Sequence, residues 1–239
     1  MKTVLLRLEG PLQSWGTRSR FGWRDTENEP SKSGVLGLVG AALGMHRDDE
    51  PMLAQLAESR LAVRIDREAG RMTDYHTVGD GVFKGRTDYT LFGTKSAVLT
   101  HRDYLMGASF LAALGFADDA LAKRVDEALA SPIWPLFLGR RSCPPSLPVF
   151  VPGGVLDAEP ADVLRQVAFA GAEGSPERLR AVIECESNHP DAEPRQDQPL
   201  SFRSHGRHYG RRFVRTTWVE RGALPPPKKE LSCISLVAY

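Results

Sequence analysis

Cysteine is scarce in this sequence and is never arranged in pairs. The 239 residues contain three cysteines, which lie far apart at Cys143, Cys185 and Cys233, and no Cys-x-x-Cys motif occurs. That spacing argues against a disulfide framework and against a cysteine zinc site. We therefore expect no bound metal and no cofactor, and a reducing, cytoplasmic compartment is the simplest location.

Long apolar runs are missing as well. No run approaches the roughly 20 apolar residues that a membrane-spanning helix needs. Residues 1–7 are typical of a strand, because their apolar run is too short for a signal peptide. We therefore expect no contact with a membrane.

The chain also lacks an excess of charge of one sign, with 31 Lys and Arg against 30 Asp and Glu. A free-standing, non-specific nucleic-acid binder is usually more basic. The charges are nevertheless sorted along the chain, since ten acidic residues lie between 157 and 197 and six arginines between 203 and 221. This contrast predicts one face for an anion and another for solvent or a protein neighbour.

Residues 11–44 contain two segments of different character, one basic and aromatic and the other apolar. A loop rich in tryptophan and arginine leads into an apolar, glycine-spaced run that predicts a helix. Tryptophan beside arginine suits stacking on bases and pairing with phosphates, and the start of a helix exposes N–H groups that attract an anion. Burial of the tryptophans in the core is the alternative. The expected RNA contacts here are Gln13, Ser14, Trp15, Arg18, Arg20, Arg24, Ser31, Lys32 and Ser33.

The glycines of this predicted helix do not form a nucleotide-binding P-loop. In that motif the lysine follows the second glycine, whereas Lys32 precedes all of them. The glycines at 34, 37, 40 and 44 favour close packing of the helix instead, which leaves Lys32 to meet a phosphate outside.

Residues 70–96 predict a long β-hairpin that projects from the body, because glycines punctuate a stretch of aromatic and basic residues. Tyr75, His76 and Lys84 could cleave RNA without a metal, with the histidine moving a proton and the cation stabilising the phosphate. Such residues are also common in hairpins without catalysis, so both interpretations stay open. The hairpin residues of interest are Tyr75, His76, Lys84, Arg86, Tyr89 and Phe92.

Two further basic segments lie outside the hairpin. Arg140 and Arg141 begin a rigid turn that ends in two prolines, and arginine binds phosphate through two hydrogen bonds. His205 and His208 have roughly the spacing of metal ligands, but no third ligand is near them in sequence. The basic strand around these histidines could face RNA, protein or solvent.

The predicted elements alternate between strands and helices. The succession of β-α-β, hairpin and β-α-β over the first 140 residues fits a split βαβ sheet with helices on one face. The proline-rich stretch 144–152 is the best candidate boundary, and residues 188–199 are predicted to be a mobile loop. The predicted strands are 3–8, 61–67, 97–105, 132–138, 179–186, 211–219 and 232–238, and the predicted helices are 31–45, 51–60, 118–130 and 160–169.

Together these segments resemble the CasD subunit family of subtype I-E CRISPR Cascade complexes. The matching blocks occur in family order over about the first 145 residues, and the remaining third resembles the family in length and general character. The blocks are Leu12-Gln-Ser-Trp-Gly16, Arg24 with Thr26, Pro30-Ser-Lys-Ser-Gly-Val-Leu-Gly37, Asp74-Tyr-His-Thr-Val78, Thr100 to Leu105 with Arg102-Asp-Tyr-Leu105, and Leu138-Gly-Arg-Arg-Ser-Cys-Pro-Pro145.

The resemblance implies an α+β protein with two domains. Residues 1–148 would form a ferredoxin-like, RNA-recognition-type domain whose thumb hairpin spans about 70–96, and residues 149–239 a small, mostly β domain. The implied function is non-catalytic, because subtype I-E complexes use a dedicated CasE nuclease. Such a subunit grips the 5′ handle of the CRISPR RNA, contacts the CasC backbone subunit and the large CasA subunit, and meets target DNA only through the complex. A metal-independent endoribonuclease and a protein-only scaffold are the alternatives.

Overall fold

The computed structural model describes residues 1–19, 22–78, 98–167 and 177–220. Within these ranges the chain is an α+β protein with four helices and two β-sheets, as the sequence predicts for the class. None of the described helices is long and apolar enough to cross a membrane. The strands are β1 (Lys2–Glu9), β2 (Leu12–Gln13), β3 (Trp23–Arg24), β4 (Arg60–Arg67), β5 (Gly70–Val78), β6 (Val98–Met106), β7 (Ser109–Phe116), β8 (Phe150–Asp157), β9 (Arg178–Cys185), β10 (Glu193–Ser201) and β11 (His208–Glu220), and the helices are α1 (Lys32–Leu43), α2 (Glu50–Ala57), α3 (Asp119–Ala130) and α4 (Pro160–Gln166).

The larger sheet has seven strands in the order β10-β11-β9-β4-β7-β1-β8, and every neighbouring pair is antiparallel. Its central strands are covered on both faces, so β7 is buried over seven of its eight residues. Apolar side chains of α1, α2 and α3 pack on one face, and those of α4 pack on the other. The first three helices therefore cover one face, as predicted, and α4 covers the opposite one.

The smaller sheet contains the base of the predicted hairpin. β5 pairs with β6 in antiparallel register from Gly70↔Met106 to Val78↔Val98. The other side of β6 pairs with β2 and, in parallel, with β3. The first strand of the predicted hairpin is thus present and pairs with β6, which begins just beyond the predicted range, whereas Lys84, Arg86, Tyr89 and Phe92 lie outside the described ranges.

The strand predicted at 132–138 is wrong. This segment is irregular and mostly exposed, because Pro132 and Pro135 have no N–H for a sheet ladder. Instead it closes the end of α1, where Ile133 and Trp134 donate their N–H groups to the carbonyls of Ala42 and Ala41. The strand that completes this side of the sheet is β8, which pairs with β1.

The loop predicted at 188–199 is wrong from residue 193 onward, where β10 begins. Its prolines, Pro194 and Pro199, are tolerated because β10 is the outermost strand on its side of the described sheet and needs hydrogen bonds to one neighbour alone. β7 was not predicted at all. The strand predicted at 232–238 lies outside the described ranges.

Strands from both sides of the predicted 148/149 boundary share the larger sheet. β8 extends it beyond β1, and β9 extends it beyond β4, so segments that follow the boundary lie at both ends of the sheet that the preceding segments form. The division into two domains stays a prediction.

Candidate nucleic-acid interface

A groove of about 540 Å³ runs along the exposed side of α1. Its floor is the small-residue face of the helix, which includes Gly37 and Ala41. Its walls come from three distant parts of the chain, namely the loop that follows β2, the segment 134–140 and the segment 202–209. The charged and aromatic residues that line it are Trp15, Arg24, Asp25, Arg47, Trp134, Phe137, Arg140, Phe202, Arg207 and Tyr209.

Positive charge dominates the groove. Four arginines line it against a single carboxylate, that of Asp25. None of the four arginines forms an ion pair within the described part of the chain. The carboxylate of Asp25 is already engaged, because it accepts hydrogen bonds from the Ser19 hydroxyl at 2.6 Å and the Arg18 N–H at 3.1 Å. The walls therefore focus a positive potential that attracts an anion.

Arg140 holds the groove together and also contributes to its charge. Its guanidinium donates to the carbonyls of Asp103 at 2.8 Å, Arg24 at 2.8 Å and Asp25 at 3.2 Å, and it lies 4.7 Å from the centre of the Tyr104 ring. These partners are neutral carbonyls and a ring rather than carboxylates. The hydrogen bonds therefore fix the side chain without neutralising it, and part of the residue remains accessible.

The turn that carries Arg140 fits against the loop after β2. The Ser14 N–H donates to the Leu138 carbonyl at 3.0 Å. Gly139 has a φ of 91°, and a Cβ there would overlap the Ser14 carbonyl, so any other residue is excluded on two grounds. Cys143 closes the turn through its N–H to the Arg140 carbonyl at 2.9 Å. Burial raises the pKa of the Cys143 thiol, so this cysteine is structural rather than nucleophilic.

Gln13, Ser14 and Trp15 are buried, although the sequence nominates them as RNA contacts. The Gln13 amide donates to the carbonyls of Leu8 and Ala108, both at 3.0 Å, and accepts from the Trp15 indole N–H at 3.0 Å. The hydroxyl of Ser14 donates to the Asp103 carbonyl. Trp15 is 1% exposed and belongs to the apolar core, which leaves no ring face for a base to stack on. Ser14 and Trp15 form part of the wall of the groove, and Gln13 lies behind them.

Lys32 is also engaged inside the protein. Its side chain is 2% exposed, and its Nζ lies 3.0 Å from a carboxylate oxygen of Glu184. Burial lowers the pKa of the Lys32 ammonium below its usual 10.5, and the Glu184 carboxylate opposes that shift. The phosphate expected at this ammonium has no access to it in this structure.

The start of α1 is likewise occupied by the protein's own groups. The Asp197 carboxylate accepts the Lys32 N–H at 2.7 Å and is held by Arg212 at 2.6 Å and 2.8 Å. The buried hydroxyl of Ser31 caps the helix by accepting the Gly34 N–H. Ser33 is half-buried and lines the groove, so it is the member of the Ser-Lys-Ser motif that a ligand can reach.

The glycines of α1 serve two purposes. A Cβ at Gly34 would approach the rigid Trp15 ring to 2.7 Å, so this glycine permits close packing, as predicted, whereas a Cβ at Gly40 would meet only the flexible end of Met45. Gly44 ends the helix in the left-handed conformation with a φ of 68°. Gly37 differs, since a Cβ there would meet nothing within 4 Å and the residue is exposed on the floor of the groove.

The remaining predicted arginines divide between the groove and other locations. Arg24 is exposed on β3 and lines the groove, and it stands opposite Arg102 in the β3–β6 pairing. Two like charges side by side on a sheet repel each other, which an anion would relieve. Arg18 is 76% exposed and pairs with Glu27 at 3.5 Å. Arg141 is exposed outside the groove, and Arg20 lies outside the described ranges.

Tyr75 and His76 are consecutive residues of β5, so their side chains point to opposite faces of the sheet. Tyr75 contacts the ring of His101 edge-on at 5.5 Å. The Nδ1 atom of His76 lies 3.7 Å from the Asp74 carboxylate. The two candidate catalytic groups therefore do not face a common substrate, and the third, Lys84, lies outside the described ranges.

The structure adds residues to the groove that the sequence did not single out as a site. Arg207 and Tyr209 line the groove and belong to the basic strand around His205 and His208, for which the sequence left the role open. Arg47, Trp134 and Phe202 line the groove as well. No local motif marks these residues, because the groove exists only once the segments 134–140 and 202–209 meet α1. Among the described residues, no three His, Cys, Asp or Glu side chains are grouped to hold a metal ion.

Comparison with known proteins identifies the family of this chain. The family described as CRISPR-associated protein (Cas_Cas5) matches residues 3–215. The CRISPR system Cascade subunit CasD of Escherichia coli (strain K12) is 38% identical over 159 residues, which cover 62% of this chain and 69% of that protein. A solved structure described as a Cas protein has a TM-score of 0.72 at 35% identity over 94% of this chain and 98% of that chain. A chain of a CRISPR RNA-guided surveillance complex has a TM-score of 0.76 at 33% identity over 95% of both chains. The chain belongs to the Cas5 family of CRISPR-associated proteins and is a homologue of CasD.

Proposed function

We propose that this protein is a non-catalytic CRISPR RNA-binding subunit of a Cascade surveillance complex, and that the groove along α1 holds the 5′ handle of the RNA. The observation that carries the proposal is the set of four arginines without carboxylate partners around one groove in the described structure. The homology to CasD and the similarity to a chain of an RNA-guided complex support the same function.

The lining of the groove suits single-stranded RNA. Such RNA is held by cations that follow the backbone and by aromatic side chains on which splayed bases stack. The groove offers both, since Trp134, Phe202 and Tyr209 line it together with Arg47 and Arg207. The bare surface at Gly37 lets a backbone approach the helix closely, because no side chain stands in the way.

The proposed partners are those that the resemblance to CasD implies. In this proposal residues 1–148 form the ferredoxin-like part, residues 149–239 form the small, mostly β part, and the hairpin of residues 70–96 contacts the spacer side of the RNA or the neighbouring CasC subunit. Contact with CasA and, through the complex, with target DNA completes the assignment. Arg24, Ser33 and Arg140 are the sequence-predicted residues that we place directly on RNA.

The geometry does not favour the ribonuclease alternative. A general base and the groups that stabilise the phosphate must face one substrate, whereas Tyr75 and His76 point to opposite faces of β5. In the described structure His76 instead lies beside the carboxylate of Asp74, a neighbour on its own strand. We therefore propose that RNA is bound here and cleaved elsewhere.

The decisive experiment removes two groove charges that have no described ion-pair partner. We expect the Arg24→Ala, Arg207→Ala double variant to bind handle RNA more weakly and with a flatter salt dependence. Each lost phosphate contact lowers the slope of log K against log salt by about 0.7 for single-stranded RNA, so the slope should fall by about 1.4. Fluorescence anisotropy with labelled repeat RNA over a salt series measures both quantities.

A matched control removes the same number of charges elsewhere. Arg60 and Arg178 are exposed and lie outside the groove, where they pair with Glu186 and Glu220. The Arg60→Ala, Arg178→Ala double variant should retain the wild-type affinity and slope. Equal losses in both double variants would show that net charge, rather than the groove, determines binding and would refute the assignment.

A further inference from the structure

Three aromatic rings form a row across the smaller sheet, on a face that the groove does not use. Tyr75, His101 and Trp23 occupy facing positions on β5, β6 and β3. The rings of Trp23 and His101 are stacked with their centroids 5.1 Å apart and their planes 15° apart. Tyr75 meets His101 edge-on at 5.5 Å.

This row is open to solvent. Trp23 is 51% exposed and Tyr75 is 64% exposed. Within the described structure β3 has a single hydrogen-bonded neighbour, β6, so Trp23 stands at the edge of the sheet. Its indole is covered on the His101 side, and about half of its surface remains available to a ligand.

Hydrogen bonds fix the orientation of the Trp23 indole. Its N–H donates to the Oδ2 atom of Asp103 at 2.9 Å, and the Thr73 hydroxyl donates to the Oδ1 atom of the same carboxylate at 2.7 Å. Asp103 is 6% exposed, so it serves the indole and the hydroxyl rather than solvent. A ring that is already oriented loses little conformational entropy when a ligand stacks on it.

We propose that the row formed by Trp23, His101 and Tyr75 is a stacking site for one unpaired RNA base. A flat, fixed indole at a strand edge matches a planar base, and stacking of this kind tolerates any base identity. Charge supports a nucleotide as the occupant, because Arg24 follows Trp23 on the same edge strand and points to the groove face. A nucleotide that crosses the edge of β3 can stack its base on Trp23 and direct its phosphate toward Arg24.

This inference rests on the proposed RNA-binding function and extends it to a second surface. The test scans an abasic nucleotide along the repeat-derived RNA and measures affinity for the wild-type full-length chain. We expect one abasic position to weaken binding about tenfold, the loss that one base–aromatic stack accounts for. In the Trp23→Ala variant the intact RNA should bind about tenfold more weakly, and the same abasic substitution should cost no further affinity.

Two variants keep the result interpretable. Trp23→Phe retains a stacking ring and should restore most of the affinity together with the abasic penalty. Trp218→Ala removes another tryptophan that is 57% exposed, on β11 of the larger sheet, and should leave both quantities unchanged.

The outcomes separate this inference from the function on which it rests. If wild-type protein does not bind the RNA, both are overturned. If the wild type binds RNA with the salt dependence assigned to the groove but no abasic position lowers its affinity, the stacking site alone is overturned. The same holds if the abasic positions that weaken binding are the same in Trp23→Ala as in the wild type. Loss of partner subunits from Trp23→Ala with an unchanged abasic profile would identify the row as a protein contact and would equally refute it.

Discussion

Lys32 shows how a basic residue beside a binding groove can be withdrawn from any ligand. Its ammonium and the Glu184 carboxylate form a buried pair, and Arg212 adds a second cation 3.7 Å from the same carboxylate. Asp197 joins the cluster by binding both Arg212 and the start of α1. These charges satisfy one another and connect α1 to β9, β10 and β11, so their contribution is to position the groove rather than to bind within it.

The role of Lys32 can be measured directly. Lys32→Met keeps most of the volume but leaves Glu184 without its closest cation, and we expect it to lower the free energy of unfolding by about 3 kcal/mol. Urea denaturation followed by circular dichroism gives this value. Lys2→Met, which removes an exposed lysine paired with Asp157 at 2.9 Å, is the control and should have a much smaller effect. A Lys32→Met protein of unchanged stability with weaker, less salt-dependent RNA binding would mean that Lys32 contacts phosphate.

Helix α1 combines a packed side with an open one. Its first turn rests on Trp15, whose ring lies where a side chain at Gly34 would be. One turn later the helix is bare at Gly37, where the groove lies. Glycine thus allows close packing of α1 at position 34 and leaves the surface of α1 open to a ligand at position 37.

A pair of alanine substitutions separates these two uses. Gly34→Ala should lower the free energy of unfolding by about 1–3 kcal/mol, because the added methyl group overpacks against the buried Trp15 ring. Gly37→Ala should raise it by about 0.5–1 kcal/mol, since alanine favours a helix interior and the methyl group meets no neighbour. Thermal and urea unfolding of the two variants measure both changes. Changes of the same sign would show that the close contact at Gly34 does not decide its effect.

The strands differ in how well the sequence predicts them. β4 could be found because Leu61 to Arg67 alternates apolar and charged side chains, although in the structure most of β4 is buried on both faces. β7 could not, because its sequence Ser-Phe-Leu-Ala-Ala-Leu-Gly-Phe is buried on both faces and shows no alternation. β10 was missed because its prolines argue against a strand unless the strand is known to lie at an edge. Edge position is a property of the sheet and not of the segment.

The whole chain brings together charges that are remote in sequence. Arg24 and Arg140 could be predicted because each stands in a basic segment that resembles the family. Arg47 and Arg207 could not be linked to them, because no motif joins these residues and the groove forms only when the segments 134–140 and 202–209 meet α1. The burial of Trp15 and Lys32 could not be predicted either, because the sequence pattern does not show which polar side chains form hydrogen bonds or ion pairs in the interior.

The claim that RNA lies in the groove along α1 is tested most directly by ultraviolet cross-linking of the complex purified from cells through a tag on this chain, followed by mass spectrometry of the cross-linked peptides. We expect nucleotides to be attached to aromatic residues of the groove, namely Trp134, Phe202 and Tyr209. Exposed Trp218 on β11 should remain unmodified. A complex without RNA, or cross-links confined to peptides such as that of Trp218 with none from the groove, would contradict the assignment.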